Sequence, residues 1–267
     1  MGNERGIAVI GSGYVGTVMA ACLADLGHEV VGVEIDPEKL ALLNDGVVPF
    51  FETGLAERLA SGIESGRLVF TDDYQMAMDR SEIVFLCVDT PPGTNGHPDM
   101  SSVAGAARSI GAALHEPHIV VTKSTVPVGS GNWLEATIEA ELPLGVDRDV
   151  LCVVSNPEFL REGSAVNDFL HPERIVVGGD CRDAVEKVAA VYDRVLSQDF
   201  EGGDPTSKPA LVKTGRATAE TIKYAANAFL ATKISFINEI ANICEWIDAD
   251  VSEVARAVGL DSRIGPK

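Results

Sequence analysis

A glycine pattern near the N-terminus is the first feature of this sequence that could carry chemistry. The residues GSGYVG directly follow an apolar run at 7–10 and precede a helical pattern of apolar side chains. Between a strand and a helix, the first glycine permits a tight turn, the second lets the backbone approach a pyrophosphate, and the third lets the helix pack on the sheet. Free N–H groups at the helix start then hold the phosphates. The pattern predicts a dinucleotide-binding turn made by Gly11, Gly13, Tyr14, Val15 and Gly16.

Two acids, Glu34 and Asp36, follow the second apolar run at 30–33. An acid at this point accepts hydrogen bonds from the adenosine ribose and repels the additional phosphate of NADP. Glu34 directly follows the run, whereas Asp36 precedes Pro37 and could instead cap the next helix. The pattern favours Glu34 for the ribose, with Asp36 as the alternative, and predicts NAD as the dinucleotide.

Two polar loops follow the fourth and fifth predicted strands. They read VDTPPG at 88–93 and KSTVPVG at 123–129. Ligands of such sheets bind at the carboxyl ends of the strands, so a hydroxyl in the second loop could reach cofactor or substrate. Ordinary turn chemistry explains both loops equally well.

The segment NPEFLREG at 156–163 holds candidate acid/base residues. Glu158 and Glu162 are four residues apart, which would place them on one helical face with Arg161 beside them. At the carboxyl end of a strand, this is a plausible proton-transfer and binding cluster. The alternative is an ordinary helix start, with Asn156 as the N-cap and Pro157 at the first helical position.

Lys223 and Asn227 are also four residues apart, within a helical pattern of apolar and small residues. A lysine in such a pattern often extends its ammonium group to solvent. A partly buried lysine whose pKa falls toward neutrality could instead donate or accept protons.

Strands and helices alternate over the first 200 residues. Such alternation predicts an α/β fold with a parallel sheet. The predicted strands lie at 7–10, 30–33, 68–70, 83–88, 119–121, 150–154 and 175–177. A polar stretch at 198–209 predicts a linker or surface loop, and long and short helices are predicted at 217–247 and 250–258.

The composition excludes several classes of protein. A net charge of −19, from 21 basic and 40 acidic side chains, disfavours nucleic-acid binding. No apolar stretch reaches the length of a membrane span, and the N-terminus lacks the layout of a signal peptide. None of the five cysteines forms a CxxC pair or a zinc-type cluster. We therefore expect a cytoplasmic, metal-free protein in which Cys22, Cys87 and Cys152 are buried apolar side chains.

Six segments, in their order along the chain, resemble the UDP-glucose/GDP-mannose dehydrogenase family. They are GSGYVG, CVDTPPG, KSTVPVG, NPEFLREG, AETIKYAANAFLATKISFINEIANIC and GLDSRIGPK. The wording FLREG and HPERIVVG is closer to the UDP-glucose branch than to the branches that act on N-acetylated sugars, and GDP-mannose dehydrogenases are the alternative. The resemblance implies a Rossmann-type sheet domain over residues 1–209. Residues 210–267 would begin a central helical dimerisation domain.

The resemblance also implies an activity and roles for individual residues. The activity is a two-step, NAD-dependent oxidation of the C6 alcohol of a nucleotide sugar to the carboxylate. Gly11, Gly13 and Gly16 would hold the pyrophosphate, Glu34 and Lys39 the adenosine ribose, and Thr90, Thr125 and Glu162 the nicotinamide side. Glu158 would transfer the proton, Lys223 would stabilise the alkoxide or orient water, and Asn227 with Thr125 would position water or sugar. Substrate contacts are implied for Glu158, Phe159, Leu160, Arg161, Lys223, Asn227 and Arg263.

Three departures from the family pattern stand out. Position 34 is Glu where Asp is more common, and Asp89 replaces a small residue before Thr90. The nucleophilic cysteine and the second nucleotide-binding domain are expected beyond the point that matches Lys267. The 267 residues alone are therefore expected to be inactive. The alternatives to a nucleotide-sugar dehydrogenase are a stand-alone NAD-binding module and a 6-phosphogluconate- or hydroxyacid-type dehydrogenase. The long helix is expected to form a homodimer, because its apolar residues occupy more than one face.

Overall fold

The computed structural model describes residues 6–94 and 96–265. The first five residues, from which no signal peptide was predicted, and the last two residues of GLDSRIGPK lie outside the described residues. The chain divides into two compact units, of which the first ends at Thr221 and the second begins at Ile222. The boundary after residue 209 stays a prediction.

Eight strands form one sheet. They are β1 (Gly6–Ile10), β2 (Val30–Val33), β3 (Leu68–Thr71), β4 (Ser81–Leu86), β5 (His118–Thr122), β6 (Leu151–Ser155), β7 (Arg174–Gly179) and β8 (Ala210–Thr214). Their order across the sheet is β3-β2-β1-β4-β5-β6-β7-β8. Neighbours are parallel except β6 and β7, which are antiparallel. This arrangement confirms the predicted α/β class with a mainly parallel, Rossmann-type sheet.

Helices connect the strands and extend beyond the sheet. They are α1 (Tyr14–Asp25), α2 (Pro37–Asn44), α3 (Leu55–Glu64), α4 (Tyr74–Arg80), α5 (Ser101–Ala113), α6 (Ser130–Glu139), α7 (Ala165–Leu170), α8 (Arg182–Ala190), α9 (Asp193–Ser197), α10 (Arg216–Ile247) and α11 (Val251–Gly259). A short 3-10 turn covers Arg148–Val150. The long and short helices predicted at 217–247 and 250–258 are α10 and α11.

Buried side chains form two clusters, because successive residues of a strand point to opposite faces of the sheet. Val9 and Phe85 belong to one cluster, whereas the adjacent Ile10 and Leu86 belong to the other. The first cluster includes residues of α1, α3, α7 and α8, and the second includes residues of α4, α5 and α6. The sheet is therefore covered on both faces, and loops at the carboxyl ends of its strands remain available for a ligand.

Strand β8 was not predicted. Its five residues, ALVKT, are exposed or half-buried, and β8 pairs with β7 at one edge of the sheet. Because an edge strand packs few side chains, its sequence carries neither a continuous apolar run nor a clear alternation. Residues 199–209, in the predicted surface loop, contain no helix or strand.

The close approach of α1 to the turn after β1 generates the first prediction. A Cβ atom at Gly16 would lie 1.9 Å from the Gly11 carbonyl oxygen and 3.2 Å from the Cys87 Cβ. Gly16→Ala should therefore destabilise the fold by about 1–3 kcal/mol, as other overpacking substitutions do. The free energy of unfolding is measured by urea titration.

Gly105→Ala in α5 is the matched control. A Cβ there meets nothing within 4 Å, so this variant should gain about 0.5–1 kcal/mol from helix propensity. Equal unfolding midpoints for the two variants would contradict the packing that the structure shows at Gly16.

Candidate functional site

The glycine turn joins β1 to α1 at the carboxyl edge of the sheet. Gly11 has a φ of +92° and donates its N–H to the Val33 carbonyl at 2.9 Å. A Cβ atom at position 11 would lie 3.0 Å from the Val88 backbone. The turn is therefore enclosed by the ends of β2 and β4. Gly13 is the N-cap of α1 and offers no side-chain cap. The first N–H groups of α1 therefore lack an internal partner, as a phosphate site requires.

Tyr14 connects this turn to the segment NPEFLREG. Its hydroxyl donates to the buried Glu52 carboxylate and accepts the Gly163 N–H at 2.7 Å. The other Glu52 oxygen accepts the Val166 N–H at 3.3 Å. Burial, together with the hydrogen bond to Glu52, raises the pKa of Tyr14 to about 12, so the phenol stays protonated. Sequence analysis missed Glu52, for which an acid among apolar residues at 48–55 was the available signal.

Glu34 and Lys39 lie together at the end of β2. The Lys39 Nζ is 2.9 Å from a carboxylate oxygen of the buried Glu34. Asp36 instead caps α2, because its carboxylate accepts the N–H groups of Glu38 and Lys39 at 2.9 and 3.1 Å. Asp36 thus has the capping role that the sequence offered as its alternative. Glu34 is the acid that remains at the end of β2.

The loops after β4 and β5 bind one another directly. The Thr90 hydroxyl donates to the Thr125 carbonyl at 3.0 Å, and the Ser124 hydroxyl donates to the Val88 carbonyl at 2.6 Å. These bonds bring Thr90 and Thr125 to one place at the edge of the sheet, as their predicted shared role requires.

Buried Lys123 links the ends of β5 and β6, a contact that sequence analysis missed. Its ammonium group donates to the Asn156 side-chain oxygen at 3.0 Å and to the Tyr192 hydroxyl at 3.3 Å. Asn156 in turn donates to the Val176 carbonyl at 2.7 Å. The start of NPEFLREG is therefore anchored in the core, where a polar group needs such partners.

The segment 156–163 is not helical, which corrects the helical geometry assumed for it, while its proposed role in proton transfer stays a prediction. Helix α7 begins at Ala165, so Asn156 is not an N-cap and Glu158 and Glu162 do not share a helical face. The Glu158 carboxylate instead accepts the Leu160 N–H at 2.6 Å. Glu158 is half-buried and Glu162 is exposed. Such local side-chain-to-backbone bonds compete with helix formation.

Arg161 forms a two-pronged pair with Asp168 at 2.9 and 2.6 Å, and Asp168 also accepts the Arg161 N–H at 2.9 Å. Burial alone would raise the pKa of Asp168, but the hydrogen bonds from Arg161 hold it below its usual value. Phe159 packs under Arg174, whose guanidinium carbon is 4.0 Å from the ring centre. Arg161 thus supports the loop through Asp168, and any contact with substrate stays a prediction.

Three predicted site residues belong to the second unit. Lys223 and Asn227 lie on α10, and Arg263 follows α11. The Arg263 guanidinium pairs with the neighbouring Asp261 at 2.6 Å. The joint action of these residues with Glu158 and Thr125 stays a prediction.

No helix among residues 6–94 and 96–265 has the length and apolar character of a membrane span. The same residues contain no cluster of His, Cys, Asp and Glu suited to a metal ion.

Comparison with known proteins agrees with this arrangement. A curated UDP-glucose 6-dehydrogenase from Rhizobium meliloti is 50% identical over 264 residues, which are 98% of this chain and 57% of that relative. A solved UDP-glucose dehydrogenase from the archaeon Pyrobaculum islandicum gives a TM-score of 0.88 at 39% identity, covering 98% of this chain and 58% of that one. A ternary complex of GDP-mannose dehydrogenase from Pseudomonas aeruginosa gives 0.86 at 35% identity, covering 96% and 56%.

The chain thus spans rather more than half the length of these relatives. Residues 5–196 match the NAD binding domain of a single family, and residues 217–267 match the central domain of the same family. The predicted cofactor, NAD, is confirmed by the first match. The chain belongs to the UDP-glucose/GDP-mannose dehydrogenase family.

Proposed function

We propose that the protein to which these residues belong oxidises the C6 alcohol of a nucleotide sugar, UDP-glucose or a close analogue, to the carboxylate. The observation that carries this proposal is the tie between the glycine turn and NPEFLREG through Tyr14 and Gly163. It places a dinucleotide turn and a half-buried carboxylate, Glu158, on loops that are held together. Bound NAD would accept a hydride from C6 in each of two steps.

The residues at the glycine turn fit NAD. A side chain at Gly16 would collide with the Gly11 carbonyl and one at Gly11 would crowd Val88, so both positions keep the tight turn in which a diphosphate can approach N–H groups. Glu34 and Lys39 would bind the adenosine ribose, and Thr90, Thr125 and Glu162 would line the nicotinamide side. Glu158 would take the alcohol proton, while Lys223 would stabilise the alkoxide and Asn227 would position water or sugar.

Three of the five cysteines are poorly suited to act as the nucleophile of the second oxidation. Burial raises the pKa of Cys22 and of Cys87 to about 12, and that of Cys152 to about 11. Thiols with such pKa values are protonated near neutrality, and the thiolate is the reactive form. Cys22 and Cys87 are buried as predicted, whereas Cys152 is only half-buried. Of the other two, Cys244 is buried, and exposed Cys181 is tested below by substitution. The thiolate that would trap the aldehyde is proposed to lie outside these 267 residues.

Two other functions remain as alternatives. GDP-mannose oxidation is favoured by the similarity to the Pseudomonas aeruginosa complex, but the Rhizobium meliloti UDP-glucose relative has the higher identity, 50% against 35%. A stand-alone NAD-binding module would keep the glycine turn and need neither Glu158 nor Lys223. The cytoplasmic location stays a prediction.

Cofactor choice tests the role of Glu34. The chain should bind NAD at least about tenfold more tightly than NADP, because the Glu34 carboxylate would face the added phosphate. Glu34→Gln should narrow this ratio, since it removes the charge and frees Lys39 from its ion pair. Calorimetric titration with both cofactors measures the ratio. If Asp36→Asn narrows it and Glu34→Gln does not, the ribose role belongs to Asp36.

Proton transfer is tested in the full-length protein. Glu158→Gln and Lys223→Ala should each lower kcat by about 100-fold or more, whereas Cys181→Ser, at the one exposed thiol of the described residues, should leave it unchanged. The 267-residue chain should bind NAD and form no uronic acid. Two results would refute the proposed location of the nucleophile. One is uronic acid production by the 267-residue chain, and the other is loss of activity when Cys181→Ser is made in the full-length protein.

The α10 helix tests the proposed homodimer. Its exposed apolar residues include Phe229, Leu230, Ile234, Phe236 and Trp246, of which Trp246 is 85% exposed. An apolar surface of this kind favours self-association, and one self-complementary patch serves both subunits. Phe236→Asp should give a monomer by light scattering at micromolar concentration while NAD binding is retained. Asn238→Asp adds the same charge at a polar position and should leave the dimer intact. A monomeric unsubstituted chain would refute the dimer.

A further inference from the structure

Asp89 places an unneutralised carboxylate against the glycine turn. One of its oxygens lies 3.1 Å from the position that a Cβ atom of Gly13 would occupy. Asp89 is exposed, and among the described residues its carboxylate has no hydrogen-bond or ion-pair partner. The carboxylate therefore lies beside the space that Gly13 leaves open, and no cation of the described residues forms an ion pair with it.

The space beside Gly13 is where the second glycine of such a turn admits a pyrophosphate. A carboxylate there repels the phosphates over a few ångströms, where Coulomb energies reach the kcal/mol range even near a protein surface. Two cations that follow other strands of the sheet are engaged with other groups. Lys39 pairs with Glu34, and buried Lys123 donates to Asn156 and Tyr192. The net charge of −19 adds a general repulsion of anions.

We propose that Asp89 sets the affinity of the dinucleotide site by repelling the diphosphate, so that NAD binds more tightly as cations screen this carboxylate. The proposal rests on the proposed placement of the NAD diphosphate at Gly13. It gives Asp89 a use in the proposed reaction, because two successive oxidations require the first NADH to leave before a second NAD binds. A site that holds the diphosphate weakly releases NADH sooner.

The test compares Asp89→Asn and Asp89→Ala with the unsubstituted chain by calorimetric titration of NAD in 0.05 M and 1 M KCl. At low salt each variant should bind NAD about tenfold more tightly, which corresponds to about 1.4 kcal/mol. At 1 M KCl, where the Debye length is about 3 Å, the ratio should fall to about twofold or less. ADP carries the diphosphate without the nicotinamide, so its affinity should show the same two ratios. NADH should dissociate more slowly from both variants in stopped-flow fluorescence.

Glu64→Gln is the matched control, because it also removes one exposed negative charge. Glu64 ends α3 just before β3 begins, away from the carboxyl ends of the strands. Its NAD affinity should stay within twofold of the unsubstituted chain at both salt concentrations. Equal or weaker NAD binding by Asp89→Asn and Asp89→Ala at low salt would overturn the proposal. A tighter affinity by the same factor at both salt concentrations would overturn it too, since volume and not charge would then be responsible. If none of the four proteins binds NAD, the placement of the diphosphate at Gly13 is wrong, and the proposed function fails with it.

Discussion

The approach of α1 to the turn after β1 constrains everything at the carboxyl edge of the first unit. With the Gly11 carbonyl only 1.9 Å from where a Gly16 Cβ would lie, the helix can pack this closely on the strand end only with glycine at position 16. Residues 16–24 of α1 are all buried, so this contact sets how the helix fills the core beneath β1 and β4. The sheet order reverses between these two strands, and ligands of open α/β sheets bind at such a reversal. The same packing that stabilises the core thus also directs the N–H groups of α1 toward the site.

The loops around that site are positioned mainly by polar contacts with one another. Tyr14 binds Gly163, Thr90 binds the Thr125 carbonyl, and Lys123 binds Asn156. Each bond joins the ends of two different strands, and together they extend from β1 to β6. Buried polar groups are costly without partners, so these loops have few alternative arrangements. The chemistry proposed for Glu158 and Thr125 therefore depends on residues that would not themselves touch the sugar.

Local patterns in the sequence were sufficient where one element determines the outcome, and insufficient where a distant contact does. The glycine turn and the long helix α10 have their causes within neighbouring residues, so spacing alone predicted both. The Tyr14–Glu52 contact joins residues 38 positions apart, and no periodicity reports such a pair. The conformation of 156–163 depends on Asp168, which binds both the backbone and the side chain of Arg161. The antiparallel pairing of β6 with β7 likewise depends on a chain reversal through α7 that apolar runs do not encode.

A chain with a net charge of −19 must still attract an anionic cofactor. Several of its cations contribute little to that attraction because they are already paired with acids. Lys39 pairs with Glu34, Arg161 with Asp168, and buried Arg216 with Glu135 and Asp180. In the proposed site the backbone N–H groups at the start of α1 would supply the attraction, and the field of a helix terminus falls off within about one turn. Long-range attraction would therefore be weak, and binding at this proposed site would depend on contact between phosphate oxygens and correctly placed N–H groups. That dependence would make the position of α1, and so the absence of a side chain at Gly16, a determinant of cofactor affinity as well as of stability.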